Sequence, residues 1–253
     1  GSGSFEGATC TISIDGTARV PATILKSPTS CYTAVETTGL NDGSHTFQVT
    51  ATAQNGTSDS YYGSFYVDNT APTITNVSPA SSTYVTGSFN IDAFLSDNLL
   101  LWKGNLYHES TLLTSTLHQT DYTVDSTSYS EGATDFLIVA EDRAGNTDEH
   151  TVGVVIDNTA PTVQITFPWD GDVITSSFTL RWEQNDSVGF CDDLYKTDVV
   201  IGGTKYVTVY NEREQYPINI NNRPEGINEI LLVVTDCVGH QATHSISVDF
   251  SPN

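Results

Sequence analysis

Acidic and amide side chains gather in a few short segments of this 253-residue chain. Asp68-Asn69 and Asp157-Asn158 each open a copy of the hexapeptide Asp-Asn-Thr-Ala-Pro-Thr. After each copy, more Asp and Asn residues stand between apolar segments: Asp97, Asn98, Asp142 and Asn146 after the first, and Asn185, Asp186 and Asp236 after the second. Carboxylate and amide oxygens are the ligands of Ca²⁺, which takes about six to eight of them. Cation binding is therefore the chemistry that these residues support, provided that the fold brings them together.

Patterns that indicate catalysis are not found. The sequence has no Gly-x-Ser-x-Gly, no His-Glu-x-x-His, no phosphate-binding Gly-rich loop and no EF-hand spacing. His240 and His244 lie four positions apart, which on a strand would put both on one face, but Zn²⁺ needs further ligands that the sequence does not single out. We expect that the chain is not an enzyme.

A strand pattern occurs three times and must position the acidic segments. It begins at Gly43, Gly132 and Gly226, with apolar residues four, six and eight positions later and a second Gly 13 positions later. Alternation with period two is typical of a strand, and the Gly closes it with a turn. Because the hexapeptide also recurs, 89 positions apart, the sequence predicts an all-β chain of tandem sandwich domains.

Three domains follow from this repeat, at residues 5–67, 68–156 and 157–253. The first domain is short or truncated, because residues 5–67 resemble a sandwich domain that lacks its first one or two strands. Residues 1–4 are typical of a cloning remnant, so we expect the natural flanks to lie outside this sequence. No segment has convincing helical periodicity, and the mixed region at residues 99–117 is expected to form strands.

Charge excludes some partners. The net charge is −22, chiefly because Lys and Arg total only 9. Nucleic acids and anionic membranes bind through Lys and Arg, so we expect neither as a partner. An apolar run of 18 residues, about the minimum for a membrane span, does not occur in the sequence.

The four cysteines fall within two of the predicted domains, as Cys10 with Cys31 and Cys191 with Cys237. An even count confined in this way favours disulfides and an oxidising, extracellular location, with buried free thiols as the alternative. Three sequons, which start at Asn55, Asn76 and Asn185, permit glycosylation without demonstrating it.

The repeats resemble the tandem bacterial or archaeal immunoglobulin-like domains of large cell-surface proteins and adhesins. The resemblance rests on the hexapeptide linker, on the repeated strand, and on the turn Glu141-Asp-Arg-Ala-Gly-Asn146, which is similar to the Asp-x-Ala-Gly-Asn turn of that family. It covers nearly the whole chain. The turn departs from the pattern in the first domain, at residues 53–56, and partly in the third, at residues 236–240. The resemblance implies sandwiches of seven to nine strands, extracellular display and no catalysis.

The resemblance also implies which loops meet. In such a sandwich the linker, the loop after the second strand and the turn between the last two strands lie at one end. That end would gather Asp68, Asp97, Asp142 and Asn146 in the middle domain, and Asp157, Asp186 and Asp236 in the third. We predict Ca²⁺ at both linkers and none in the first domain. The alternative is that Asp and Asn only hydrogen-bond their own loops.

The sequence thus indicates a non-catalytic stalk or adhesive module at the cell surface, stiffened by Ca²⁺ and facing a protein or glycan on another surface. One alternative is the ectodomain of a surface-layer, cell–cell recognition or fusion protein. A second is an accessory glycan-binding region of a secreted enzyme, which would display Trp or Tyr. Against the second, we expect Trp102 and Trp182 to lie in domain cores.

Overall fold

The computed structural model describes residues 9–19, 34–117, 121–188, 191, 195–210 and 213–252. Within them, strands account for nearly all of the regular structure, and a single 3₁₀ turn at Ser126–Ser128 is the exception. The predicted all-β class is confirmed. In the described part of the chain, no helix is long and apolar enough to cross a membrane.

Four N-terminal strands form one antiparallel sheet, which we call the N-terminal sheet. Its strands are β1 (Thr9–Ile14), β2 (Thr17–Arg19), β3 (Gly43–Thr52) and β4 (Ser58–Val67), in the order β2-β1-β3-β4. Asp15 and Gly16, both with positive φ, make the tight turn between β1 and β2. β3 and β4 pair along their full length, from Gly43 opposite Val67 to Thr52 opposite Ser58.

The next eight strands form two sheets that face each other, which we call the middle sandwich. They are β5 (Thr73–Ser78), β6 (Thr83–Val85), β7 (Ser88–Ser96), β8 (Leu101–His108), β9 (Thr111–Thr116), β10 (Asp121–Asp125), β11 (Gly132–Asp142) and β12 (Thr147–Ile156). One sheet has the order β10-β7-β5 and the other β6-β12-β11-β8-β9. Ile91 from the first sheet and Phe136, Ile138 and Val154 from the second are buried in a shared core.

The last eight strands repeat this arrangement as the C-terminal sandwich. They are β13 (Thr162–Phe167), β14 (Val173–Ile174), β15 (Phe178–Asn185), β16 (Lys196–Ile201), β17 (Thr204–Tyr210), β18 (Gln215–Ile218), β19 (Gly226–Thr235) and β20 (Gln241–Phe250). The sheets have the orders β13-β15-β18 and β14-β20-β19-β16-β17. Leu180 and Trp182 pack against Ile230 and Leu232 in the core.

Alternation along the repeated strand explains its placement at the centre of each larger sheet. In β11, Phe136, Ile138 and Ala140 are buried on the core side, while Leu137 and Val139 on the other face are half-buried. β11 hydrogen-bonds to β12 on one side and to β8 on the other. The expected strands at residues 99–117 are β8 and β9, so that prediction is confirmed.

One expectation about the core is wrong. Trp182 is buried, at 1% exposure, but Trp102 is 40% exposed and its ring lies 4.1 Å from the ammonium of Lys103. Trp102 is the residue of β8 that is skipped where the pairing with β11 shifts, between Lys103 opposite Glu141 and Leu101 opposite Asp142, so strict alternation does not hold there. A register shift of this kind sends a side chain to the unexpected face.

Candidate functional site at the two joints

Each sandwich begins at a linker, and its acidic residues meet there. We call the region around Asp68 the first joint and the region around Asp157 the second joint. In the first joint, one oxygen each of Asp68, Asp97 and Asp142 lies within 4.8 Å of the others. In the second, an oxygen of Asp157, an oxygen of Asp236 and a ring nitrogen of His240 do the same.

The turn after the repeated strand positions one carboxylate in each joint. Asp142 Oδ1 accepts hydrogen bonds from the backbone N–H groups of Ala144, Gly145 and Asn146, at 2.7–2.9 Å. The chain can wrap around this oxygen because Gly145 adopts a φ of 96°, which favours glycine. The other oxygen, Asp142 Oδ2, accepts from the side-chain amide of Asn146 at 2.7 Å.

The same turn recurs in the C-terminal sandwich with one change. Asp236 Oδ1 accepts from the N–H groups of Val238, Gly239 and His240, at 2.8–3.0 Å. Its Oδ2 lies 3.0 Å from Nδ1 of His240, the residue that stands where the middle sandwich has Asn146. His240 is therefore a member of the cluster that the sequence-based prediction missed.

The second carboxylate of each joint follows the third strand of the sandwich, which is β7 in the middle sandwich and β15 in the C-terminal one. Asp97 Oδ1 accepts from the N–H groups of Leu99 and Leu100, at 2.9 and 2.8 Å. Asp186 Oδ1 accepts from the N–H of Val188 at 3.1 Å. In both residues the remaining oxygen is buried and has no hydrogen-bond partner among the described residues. Asp186 lies beside the group of Asp157, Asp236 and His240 and acts on Asp157 through its charge.

The linker carboxylates are held in an unfavourable electrostatic position. Burial, followed by the charges of Asp97 and Asp142, raises the pKa of Asp68. In the second joint, burial and then the charges of Asp186 and Asp236 raise the pKa of Asp157 to about 6, against the opposing effect of His240. Burial also raises the pKa of Asp186. Asp157 is 0% exposed, and neither of its carboxylate oxygens has a partner in the described part of the chain.

The second residue of each linker, Asn69 or Asn158, instead hydrogen-bonds to the sheet or sandwich that precedes the linker. The N–H of Asn69 donates to Asp42 Oδ1 at 2.7 Å, and its side-chain amide donates to the carbonyls of Thr37 and Leu40, both at 3.1 Å. In the second joint, the N–H of Asn158 donates to Glu131 Oε1 at 2.9 Å, and its amide donates to the carbonyl of Ser126 at 3.1 Å.

The acceptors of the linker Asn also reach the following unit. Asp42 Oδ2 accepts from the side-chain amide of Asn98 at 2.7 Å, and Glu131 Oε2 accepts from the hydroxyl of Ser187 at 3.3 Å. Hydrogen bonds from Thr70, Asn69 and Asn98 lower the pKa of Asp42. Asp42 and Glu131 occupy one repeat position, directly before the Gly of the repeated strand, so both joints are clamped in the same way.

A disulfide braces the second joint. Cys237 follows Asp236 directly and is bonded to Cys191, which confirms that predicted pair. In the middle sandwich, Arg143 takes the position of Cys237. The other predicted pair involves Cys31, which lies outside the described residues.

His244 does not join His240, so the idea of a shared histidine face is wrong. β20 begins at Gln241, which leaves His240 in the turn, and the Nδ1 of His244 instead accepts from the N–H of Ile165 at 3.3 Å. The sequon residues Asn55, Asn76 and Asn185 are all exposed.

Comparison with known proteins identifies the domain type. Residues 118–200, from the middle sandwich into the C-terminal one, match the family described as bacterial Ig-like domain (group 3). The chain therefore contains a domain of the immunoglobulin-like class that its repeats predict. Domains of this class are typical of extracellular stalks and adhesive regions; they are non-catalytic and also occur as modules of enzymes.

Several solved structures are similar to the chain at low sequence identity. The fibronectin(III)-like modules of Clostridium thermocellum CbhA are 18% identical, with a TM-score of 0.46, over 71% of this chain and 95% of theirs. Three N-terminal domains of the bacteriophage RB49 outer capsid protein Hoc are 11% identical, with a TM-score of 0.48, over 97% and 88%. A tetra-tandem repeat of a large adhesion protein is 18% identical, with a TM-score of 0.33, over 98% and 68%. No curated protein sequence matches the chain.

Proposed function

We propose that the chain is a non-catalytic extracellular segment of a cell-surface protein, a stalk or adhesive module whose joints are fixed by divalent cations. The observation that carries this proposal is the divided role of the linker. Asn69 and Asn158 bind back to the preceding unit, while Asp68 and Asp157 face forward into a cluster of carboxylates. A linker that contacts both neighbouring domains suits a spacer in which the orientation between domains is fixed.

Ca²⁺ is the ion that we assign to the first joint. Asp68, Asp97 and Asp142 offer only oxygen, and backbone carbonyls of the linker lie nearby, because the amide of Asn146 donates to the carbonyls of Asp68 and Thr70 at 3.1 and 3.4 Å. Without a cation the three carboxylates repel each other. With one, this repulsion becomes attraction toward a common centre, and the joint stiffens.

A melt in excess chelator, repeated with millimolar Ca²⁺ and with Mg²⁺, tests this proposal. A ligand that binds only the folded state at 100 times its Kd adds about 2.7 kcal/mol. We expect Ca²⁺, but not Mg²⁺, to raise the melting temperature and to extend the maximum dimension in small-angle X-ray scattering. Asp68→Asn should remove both effects. A protein whose melting and scattering ignore Ca²⁺ would contradict the assignment, and ordered oligomers would favour the surface-layer or recognition alternative.

Glycan binding is a second candidate, because the N-terminal sheet displays aromatic rings. Tyr62 and Tyr66 are 68% and 76% exposed and alternate on one face of β4. Gln48 lies beside them and donates to the hydroxyl of Tyr62 at 3.0 Å. Exposed rings next to amide and hydroxyl groups suit sugars. Retention on insoluble polysaccharide that is lost in Tyr62→Ala with Tyr66→Ala would support this function, and equal retention of both proteins would exclude this face.

A further inference from the structure

The second joint differs from the first in a way that changes its ligand chemistry. We propose that it binds a first-row transition-metal ion, such as Zn²⁺ or Mn²⁺, through Asp157, Asp236 and His240 with Asp186 beside them. This assignment deepens the proposed function and rests on its premise that cations fix the joints. The ion expected here is not the one expected at the first joint.

Two buried carboxylates at this joint point to a cation. Asp157 is 0% exposed and Asp186 8% exposed, and three of their four oxygens have no hydrogen-bond partner among the residues that the structure describes. A buried carboxylate oxygen without a partner costs far more than an exposed one, because it has lost its water. The charge of Asp236 lies in the same group, so a metal ion would satisfy all three residues at once.

His240 decides which class of ion fits. Its Nδ1 lies 3.0 Å from Asp236 Oδ2, a separation that two ligands of one metal ion can share. Its Nε2 lies 3.3 Å from the hydroxyl oxygen of Thr86, which can accept a hydrogen bond from Nε2–H. When Nε2 holds the proton, Nδ1 presents its lone pair to the cluster. Imidazole nitrogen favours first-row transition metals, whereas Ca²⁺ selects oxygen.

The brace around the cluster suits a site with fixed geometry. The disulfide between Cys191 and Cys237 joins the loop after Asp186 to the turn that holds Asp236. Thr86 belongs to the middle sandwich, so the outer contact of His240 crosses the joint. A metal bound here would therefore fix the two sandwiches to each other.

Isothermal titration of chelator-stripped protein with Zn²⁺, Mn²⁺ and Ca²⁺ tests the assignment. We compare the parent protein with His240→Asn, which installs the residue of the first joint, and with His150→Asn, an exposed histidine on β12, as the matched control. Zn²⁺ should bind the parent and His150→Asn at one site with equal affinity. His240→Asn should weaken Zn²⁺ by about tenfold or more, since changes even in the outer shell cost about 10–100-fold.

The reciprocal change keeps the test independent of how His240→Asn folds. Asn146→His places imidazole at the first joint and should add a second Zn²⁺ site there. If Zn²⁺ binds the parent and His240→Asn equally, or if Asn146→His adds no site, then His240 is only an ion-pair partner of Asp236 and the assignment is overturned. Loss of the Ca²⁺ response with Zn²⁺ binding intact would instead contradict only the Ca²⁺ assignment at the first joint.

Discussion

The two joints have the same design and differ in their surroundings. Both use a linker Asn that binds back to an acidic residue before the repeated strand, and both close on an Asp that gathers three backbone N–H groups. At the first joint, Asp68 and Asp97 remain partly exposed. At the second, Asp157 and Asp186 are buried, His240 replaces Asn146, and a disulfide holds the turn.

This difference shows how one backbone scheme can be tuned to separate tasks. Where water reaches the carboxylates, as at Asp68 and Asp97, their mutual repulsion is partly screened, although Asp142 in the same joint is buried. Where they are buried, the same repulsion acts in a poorly screened environment, and the pKa of Asp157 rises to about 6. The second joint should therefore depend more strongly on a bound cation than the first.

Removal of the disulfide should have the largest effect and should bring the second joint closer to the first. Cys191 and Cys237 are 46 positions apart, and a closed loop of that size corresponds to about 4 kcal/mol of stabilisation in the chain-entropy treatment. Replacement of both by Ser should lower the melting transition of the C-terminal sandwich in calorimetry and leave that of the middle sandwich in place. A common shift of both transitions would mean that the two sandwiches melt as one unit.

Asp142→Ala and Asp236→Ala test the part that the joints share. Each change leaves three backbone N–H groups without their carboxylate acceptor, so each should cost about 2–3 kcal/mol in urea unfolding. Asn at either position should retain part of the stability, because its Oδ1 still accepts. A much smaller loss for one variant would show that its turn is held by other contacts.

Asp42→Ala and Glu131→Ala should loosen the joints without unfolding the sandwiches. Each variant removes the acceptor of a linker N–H and one bond to the following unit, and because water reaches both acids the free energy of unfolding should change little. Residual dipolar couplings should show increased motion between the units on either side. The substitutions Asp42→Asn and Glu131→Gln should restore order, because amide oxygens also accept. Unchanged couplings in both alanine variants would mean that the clamp does not orient the units.

The smallest expected effect comes from removal of the linker carboxylate, and the sign of the resulting change in stability distinguishes the two joints. In chelator at pH 7, Asp157→Asn should stabilise the C-terminal sandwich by about 1 kcal/mol, because it removes a buried charge that has no partner in the described structure. Asp68→Asn should change stability less. Because the folded pKa of Asp157 is raised, the advantage of Asp157→Asn should fade as the pH falls through about 6. A destabilised Asp157→Asn at pH 7 would reveal an acceptor role for that carboxylate.

Much of the fold follows from the sequence, because strand periodicity and turn chemistry are local. The repeated segments at residues 43–51, 132–140 and 226–234 are β3, β11 and β19. The divisions at residues 67/68 and 156/157 stay predictions, as does the shortness of the first domain.

The candidate site could be predicted only in part, since half of each joint comes from the preceding unit. Asp42 and Glu131 look like ordinary residues before a turn Gly, and their recurrence at one repeat position is the available signal. The spacing of His240 from His244 predicts a shared strand, whereas the turn around Asp236 extends one residue further and includes His240. Neither local periodicity nor composition reports such contacts between units.

The clamp position has a consequence for how such chains grow. Glu225 stands before Gly226 as Glu131 stands before Gly132, and it is exposed. The middle and C-terminal repeats thus each contain both an acidic residue before the repeated strand and a linker at their start. Duplication of one repeat would therefore copy both halves of a joint, so no new contact surface would have to evolve. The length of the chain of domains can then change by whole repeats while the contacts that orient neighbouring domains stay the same.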